Sequence, residues 1–273
     1  MKKQHLIALD LDGTLLTNEK TISDRTKQAI GNMISQGHIV MIATGRPYRS
    51  SKMYYNELLL NTPIVNFNGA HIHHPKDTGW GNFHTPLEHK TAKRIIQACD
   101  EFGIKNMIAE VQDRVFLHYH DKKIIDLFTM GSSQVKSGRL DLLLEESPTS
   151  LLIYPEAEKV DQIRTHLNDT HAELIEHRKW AAPWHVIEIV KSGLNKAVGI
   201  QKIAQHYNIP KERIVAFGDE DNDLEMLDYA GIGVAMDNAI DELKSLSNEI
   251  TFSNNEHGVA AFLEKTFSLP AHK

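Results

Sequence analysis

The sequence predicts an α/β fold in which a parallel sheet covered by helices is interrupted by an inserted α+β domain. Three observations predict it. Short apolar runs alternate with helical patterns from residue 6 to residue 67, and the same alternation resumes from residue 194 onward. Between them, residues 84–189 follow a different pattern, dense in strand candidates that lack a helix between each pair. Strand and helix in strict alternation are the mark of a parallel sheet, because parallel neighbours need a crossover.

The elements follow in order. Leu6-Ile7-Ala8-Leu9 is short and continuously apolar, as a strand buried on both faces must be. Ala29, Ile30, Met33 and Ile34 then lie on one helical stripe, with Ser23 as N-cap and Gly37 as the stop. Ile39 to Ala43 forms a second strand, residues 48–60 a helix, and Ile64 to Phe67 a third strand. Asn68-Gly69 and Thr78-Gly79 are turn signals bounding a hairpin. In the insertion, Ala92, Ile95, Ile96, Cys99 and Phe102 make one face of a helix that Gly103 ends. Strands are expected at 106–111, 114–120, 150–154, 172–177 and 185–190, with helices near 121–130 and 156–168. Residues 194–207 read as a helix, Ile214 to Phe217 as a strand, 222–229 as a helix and Ile232 to Ala235 as a strand. Helices near 239–246 and 257–267 bracket a short strand at 249–252. The expected organisation is a core of 1–83 plus 190–273 and an insert of 84–189.

Composition narrows the function. With 273 residues, 41% hydrophobic and 24% charged, the chain has the material for at least one full core and is not a disordered or collagen-like polymer. Thirty Lys and Arg against thirty-six Asp and Glu leave a net charge of −6, which repels phosphate backbones and argues against general nucleic-acid binding. The single cysteine, Cys99, rules out an intrachain disulfide. Asp10 and Asp12 interrupt the first apolar stretch, so it reads as neither signal peptide nor membrane span. A cytoplasmic protein without membrane partners is expected.

Asp10-Leu11-Asp12-Gly13-Thr14 directly follows the first strand. Ligands of open parallel sheets bind beyond the carboxyl ends of the strands, where these residues stand. Two carboxylates two residues apart can converge on one site, where one attacks or holds a metal while the other transfers protons. The competing reading is a solvated strand-to-loop junction. Gly218-Asp219-Glu220-Asp221-Asn222-Asp223 follows another buried strand, and four acids within five positions repel one another unless a divalent cation offsets them. The alternative is an acidic helix start, which the helix dipole also favours. Neither run is an EF-hand, since Leu15 and Thr21, or Leu224 and Ala230, occupy the positions that need Gly and Glu. Thr44-Gly45-Arg46 closes the second strand with a hydroxyl and free backbone N–H groups, the makings of an anion cradle. Lys196 stands near a helix start, where a cation is better explained if an anion shares the site.

Gly231-Ile232-Gly233 lacks the third small residue of a dinucleotide fingerprint, because Met236 stands there. His71-Ile72-His73-His74 and His118-Tyr119-His120 place histidine pairs on one strand face, but no Cys or carboxylate frame completes a zinc site, so a solvated surface is expected. His118, Tyr119, His120, Arg178, Trp180 and Trp184 fall in the insertion, where aromatic and polar groups can contact a leaving group, with core the competing reading for Trp180 and Trp184.

In this order and spacing, the four motifs resemble those of the haloacid dehalogenase superfamily, in its phosphatase branch. Asn66-Phe67-Asn68-Gly69-Ala70 and the insertion that follows resemble the Cof-type subgroup with a large α/β cap. The resemblance implies a Rossmann-like core and a cap that selects substrate. It implies that Asp10 is a nucleophile forming an aspartyl-phosphate and that Asp12 is the acid and base. It implies a Mg²⁺ held by the Asp10 carboxylate, the Asp12 carbonyl and Asp219, with Asp223 in support. Thr44, Gly45, Lys196 and Asn222 would hold the phosphoryl oxygens. The expected activity is Mg²⁺-dependent hydrolysis of small phosphorylated metabolites, with sugar phosphates the expected class. A phosphotransferase or phosphomutase using the same nucleophile is the competing enzyme reading. A non-enzymatic phosphometabolite sensor is a third, against which Asp12 argues because sensing needs no general acid.

Overall fold

The computed structural model of the protein describes residues 3–122, 125, 135–171, 173–179 and 185–269. The chain divides into two compact units, one of Met1–Arg46, Ser51–Asn82 and Asn195–Lys273, the other of Pro47–Ser50 and Phe83–Leu194. The insert expected from the sequence, 84–189, lies within the longer stretch of the second unit. The described strands are β1 (Leu6–Leu9), β2 (Ile39–Ile42), β3 (Ile64–Asn66), β4 (His71–His73), β5 (Asn82–His84), β6 (Asn106–Val111) and β7 (Arg114–Leu117). They continue with β8 (Val135–Ser137), β9 (Ser150–Tyr154), β10 (Ile175–Lys179), β11 (Ile187–Lys191), β12 (Ile214–Gly218), β13 (Ile232–Ala235) and β14 (Glu249–Ile250).

In the first unit, five strands pair in the order β14-β13-β12-β1-β2, every pair parallel. The chain runs outward from β1 in one direction and outward from β12 in the other, so the order reverses between β1 and β12. Clefts in open parallel sheets form at such a reversal. β1 is buried along its whole length. Full burial of a Leu or Ile side chain contributes about 1.5–3 kcal/mol against about 1 kcal/mol net for one hydrogen bond, so the core anchors this strand more than the ladder does. Leu6, Ala8, Met41, Ile200, Ile214, Ala216 and Leu243 belong to that core.

The helix Asp24–Ser35 is capped as expected, with the Ser23 hydroxyl accepting from the Thr26 amide at 3.2 Å. Ala29, Ile30 and Met33 are buried, whereas Ile34 lies at the rim of the stripe, 38% exposed. The hairpin differs from expectation. A tight turn at Phe67–Gly69 pairs β4 back onto β3, and a second turn at Thr78–Trp80 leads to β5 on the other side, giving three strands.

In the second unit, six strands run in the order β10-β11-β9-β6-β7-β8, antiparallel except for the β7–β8 pair. The helices His89–Glu101 and Val160–His171 bring Ile95, Ile96, Ile163 and Leu167 to a core shared with Met107, Ile153 and Ile187. β10 begins at Ile175 because Ile175 is buried and Leu174 exposed, a distinction that two adjacent apolar residues do not announce. β8 was not expected, since Val135-Lys136-Ser137 carries too little apolar pattern to read. Of the expected helix at 121–130 only Asp121, Lys122 and Ile125 are described, with the Ile125 amide donating to the Asp121 carbonyl at 2.9 Å, and Trp180 and Trp184 lie outside the described residues.

The histidines correct an expectation. His118 is buried, its Nδ1 accepting from the Leu140 amide at 3.2 Å and its Nε2 standing 3.3 Å from Asp100 Oδ1. His71 is buried and stacks on His73 at 4.3 Å. Burial, with His71 and His74 nearby, pushes the His73 imidazole down to about 3, so it is neutral at any ordinary pH. No described helix is long and apolar enough to cross a membrane.

Candidate active site

The site is built at the carboxyl ends of β1 and β12. These strands pair in register, Leu9 with Phe217, and the Asp10 amide donates to the Phe217 carbonyl at 3.2 Å. Asp10 and Asp219 are therefore carried to neighbouring strand ends although 209 positions separate them in the chain. Both are buried, as are Asp223 and Lys196.

Lys196 opens the helix Lys196–His206, which Asn195 caps by accepting from the Val198 amide at 3.1 Å. Its ammonium donates to Asp10 Oδ1 at 2.6 Å and to Asp223 Oδ1 at 2.7 Å. The other oxygen of Asp223 accepts from the amides of Asp219 and Glu220, at 3.0 and 3.2 Å, which fixes the loop after β12. Thr14 donates to Asp219 Oδ1 at 2.7 Å. Gly13 has φ +76°, and a β-carbon there would lie 2.0 Å from Asp219 Oδ2, so glycine is what allows the first loop to close on that carboxylate.

Burial is the main reason that the Asp10 carboxyl is pushed up to about 7, against the pull of Lys196 and with a further rise from Asp223. Asp219 is pushed up to about 8, by burial first and then by Asp10 and Asp223. For Lys196 burial favours the neutral amine, but the charges of Asp10 and Asp223 outweigh it and hold the ammonium above its ordinary value.

Asp10, Asp219 and Asp223 offer carboxylate oxygens that all lie within 4.8 Å of one another, the one such group among the described His, Cys, Asp and Glu residues. When all three are ionised, Lys196 offsets one charge and leaves two. A divalent cation fits that deficit, and an all-oxygen donor set suits a hard ion such as Mg²⁺ rather than zinc.

The Asp12 carboxylate stands apart from this cluster. Arg46 grips it at two points, Nε to Oδ2 at 2.6 Å and Nη2 to Oδ1 at 2.7 Å, and Lys20 Nζ donates to Oδ1 at 2.6 Å. Burial alone would raise Asp12, but the hydrogen bonds and charges of Arg46 and Lys20 together win and hold it at about 2. In this arrangement it is an anion. Asp12 thus joins no carboxylate cluster, and any part in holding a metal falls to its backbone carbonyl, as the resemblance implies.

Asn68 draws the anion-cradle residues together. Its amide N–H donates to the Thr44 carbonyl at 3.2 Å, and its side-chain oxygen accepts from Asn222 Nδ2 at 3.0 Å. A β-carbon on Gly45 would stand 3.2 Å from the Asn68 side-chain amide. Thr44 is buried, and its hydroxyl accepts from the Arg46 amide at 3.2 Å. Asn68 itself is buried with φ 52°. Sequence reasoning quoted Thr14 and Arg46 within motifs and Asn68 within a turn without giving any of them a role, and it did not single out Lys20. Asn68-Gly69 was legible as a turn and Arg46 as the end of a motif, but nothing local says which strand end they face.

The haloacid dehalogenase-like hydrolase family matches residues 7–263. Over 98% of its length the chain is 55% identical to the 5-amino-6-(5-phospho-D-ribitylamino)uracil phosphatase YitU of Bacillus subtilis, of which 99% is covered. It is 31% identical to a second Bacillus subtilis phosphatase of the same activity, YwtE, over 96% of this chain and 98% of that one. The crystal structure of TM0651 from Thermotoga maritima superposes with a TM-score of 0.85 at 26% identity, covering 98% of this chain and 99% of that one.

Proposed function

This chain belongs to the haloacid dehalogenase-like hydrolases and is a phosphatase of small phosphorylated molecules, and from that premise we propose that its substrate is 5-amino-6-(5-phospho-D-ribitylamino)uracil or a closely related ribityl phosphate. The observation that carries the proposal is the joining of a complete buried Asp10–Lys196–Asp223–Asp219 cluster to 55% identity with a relative of that activity. A ribityl phosphate is the phosphate of a sugar alcohol, so it falls within the sugar-phosphate class expected from the sequence. Its leaving group is an alkoxide, which needs a proton.

In this reading Asp10 attacks phosphorus and the bond to the ribityl oxygen breaks, leaving phosphate on the Asp10 carboxylate. Lys196 keeps Asp10 oriented and, with Thr44, Gly45 and Asn222, offsets charge on the phosphoryl oxygens. Asp12 protonates the leaving oxygen from a state in which the cation fork has loosened. The ionised form that the fork holds is the one that takes a proton from the attacking water in the second step. Mg²⁺, held by the Asp10 and Asp219 carboxylates with Asp223 in support, would supply charge neutralisation at the transferring phosphoryl group. We assign substrate selection to the inserted unit and the activity to the cytoplasm, where the free thiol of Cys99 is stable.

The test is a hydrolysis panel with purified protein and Mg²⁺. The proposal expects the highest kcat/KM for the ribitylaminouracil phosphate, above hexose phosphates, nucleotides and pyridoxal phosphate. A hexose phosphate turned over about tenfold more efficiently would overturn the substrate while leaving the phosphatase class untouched.

A further inference from the structure

The grip on Asp12 is built from three separated parts of the first unit. Arg46 follows β2, Lys20 sits in the turn after β1, and Tyr54 lies in the helix Tyr48–Glu57. Tyr54 ties the two cations together. Its ring lies under the Arg46 guanidinium, 5.4 Å from centroid to carbon, and its hydroxyl donates to the Lys20 carbonyl at 3.0 Å. The Arg46 backbone is itself held on two sides. Its carbonyl accepts from Asn66 Nδ2 at 2.8 Å and from the Phe67 amide at 3.3 Å, and its amide donates to Thr44 at 3.2 Å. A guanidinium anchored this way presents a fixed two-point fork to one carboxylate. The Arg46 side chain is 17% exposed and that of Lys20 54%, so Arg46 is the inner and steadier partner.

We propose that Arg46 is a positioning residue for the second half of the reaction, its two-point grip holding the Asp12 carboxyl group where it accepts a proton from the water that hydrolyses the aspartyl-phosphate. In that step the water oxygen bonds to phosphorus and the bond from phosphorus to the Asp10 oxygen breaks. Its electron pair returns to the Asp10 carboxylate, the proton of the water passes to Asp12, and inorganic phosphate leaves. In this assignment Arg46 acts through Asp12 alone. It acts by fixing the carboxylate plane, and a base displaced by about 1 Å can cost on the order of 10²-fold. The inference rests on the reading of Asp12 as the acid and base.

The experiment uses 4-nitrophenyl phosphate, whose leaving group needs no proton, so that dephosphorylation is isolated. Arg46→Ala is expected to lower kcat about 10- to 100-fold while kcat/KM stays within about threefold, with aspartyl-phosphate accumulating in acid-quenched protein. Arg46→Lys keeps the charge but loses the two-point grip and is expected to accumulate it as well. In the Asp12→Ala background, Arg46→Ala should add less than about threefold. Loss of kcat/KM in step with kcat, full activity in Arg46→Lys, or additive losses in the double variant would each overturn the inference. If Asp12→Ala alone accumulates no phosphoenzyme, the acid and base reading fails first. If it does and Arg46→Ala does not, only the positioning role fails. Thermal melts confirm that each variant is folded. Should Arg46→Ala not fold, Lys20→Gln, on an exposed turn, carries the same measurement with a smaller expected accumulation.

Discussion

At the scale of single residues, burial dominates Asp10 and Asp219, the two carboxylates proposed to act as nucleophile and metal ligand. Replacing Asp10 by Asn removes the oxygen proposed to attack yet keeps an acceptor for Lys196, so turnover should fall by about 10⁴-fold or more with little loss of thermal stability. Phosphate release and a melting curve check the two halves of that statement. Burial also dictates a pH dependence. Asp10 and Asp219 titrate near 7 and 8 in the fold, above the ordinary 3.8, so the metal-free fold favours their protonated forms. Their contribution to stability is complete below about pH 4 and is lost as pH rises through 7 to 8. Asp12 has the opposite sign: held at about 2, it stabilises above about pH 4 and ceases to do so as pH falls through 2. Melting of chelated protein should therefore show a midpoint that declines from about pH 5 to pH 9, and added Mg²⁺ should raise it most at the alkaline end. A ligand at 100 times its Kd adds about 2.7 kcal/mol, and at about 2–4 °C per kcal/mol for a chain of this size the shift is several degrees. A midpoint that ignores both pH and Mg²⁺ would contradict the cluster as a cation site.

The turn after β1 shows how an element imposes a residue. Its positive φ at Gly13 and the Asp219 carboxylate pressed against that position leave no room for a side chain. Gly13→Ala is expected to lose about 1–3 kcal/mol of stability to backbone strain and to need more Mg²⁺ for half-maximal activity, because Asp219 has to move. A Mg²⁺ titration of activity measures this, and an unchanged midpoint would show that the carboxylate shifts without consequence. The glycine is visible between Asp12 and Thr14 in the sequence, but its contact with Asp219 is not, because the β1–β12 pairing that creates it is a property of the sheet. The ends of β10, β14 and the helix Tyr48–Glu57 differ from expectation for a related reason. Apolar pattern marks that an element exists, while its last residue depends on what covers it.

A separate main core organises each unit, and the second unit carries a further buried cluster of Ile108, Val115, Leu117, Leu152 and Val186. One main core gathers Leu6, Met41, Ile200 and Ile214, the other Ile95, Met107, Ile153 and Ile187, and no residue belongs to both. Each unit buries its own apolar faces, which is the condition for folding alone. Residues 83–194 expressed by themselves should melt cooperatively in a single transition by both far- and near-ultraviolet circular dichroism. Non-coincident transitions, or strong binding of a dye that reports exposed apolar surface, would mean that this core is incomplete without the rest of the chain.

From the sequence alone came the α/β class, the insertion and the positions of the acidic motifs, because these depend on short-range periodicity and on which residues directly follow a buried run. Asp10, Asp12 and Asp219 were visible for that reason, and Lys196 because it stands near a helix start. Only the tertiary structure decided how they divide: Asp10, Asp219 and Asp223 in one cluster around Lys196, and Asp12 in the fork of Arg46 and Lys20. It also decided that Asn68 joins Thr44 to Asn222, partners 24 and 154 positions away. Such contacts follow from the order in which strands pair, β12 beside β1 and β1 beside β2. That order is set by burying the apolar faces of the whole sheet at once, a global balance of free energy that no local stretch of sequence contains.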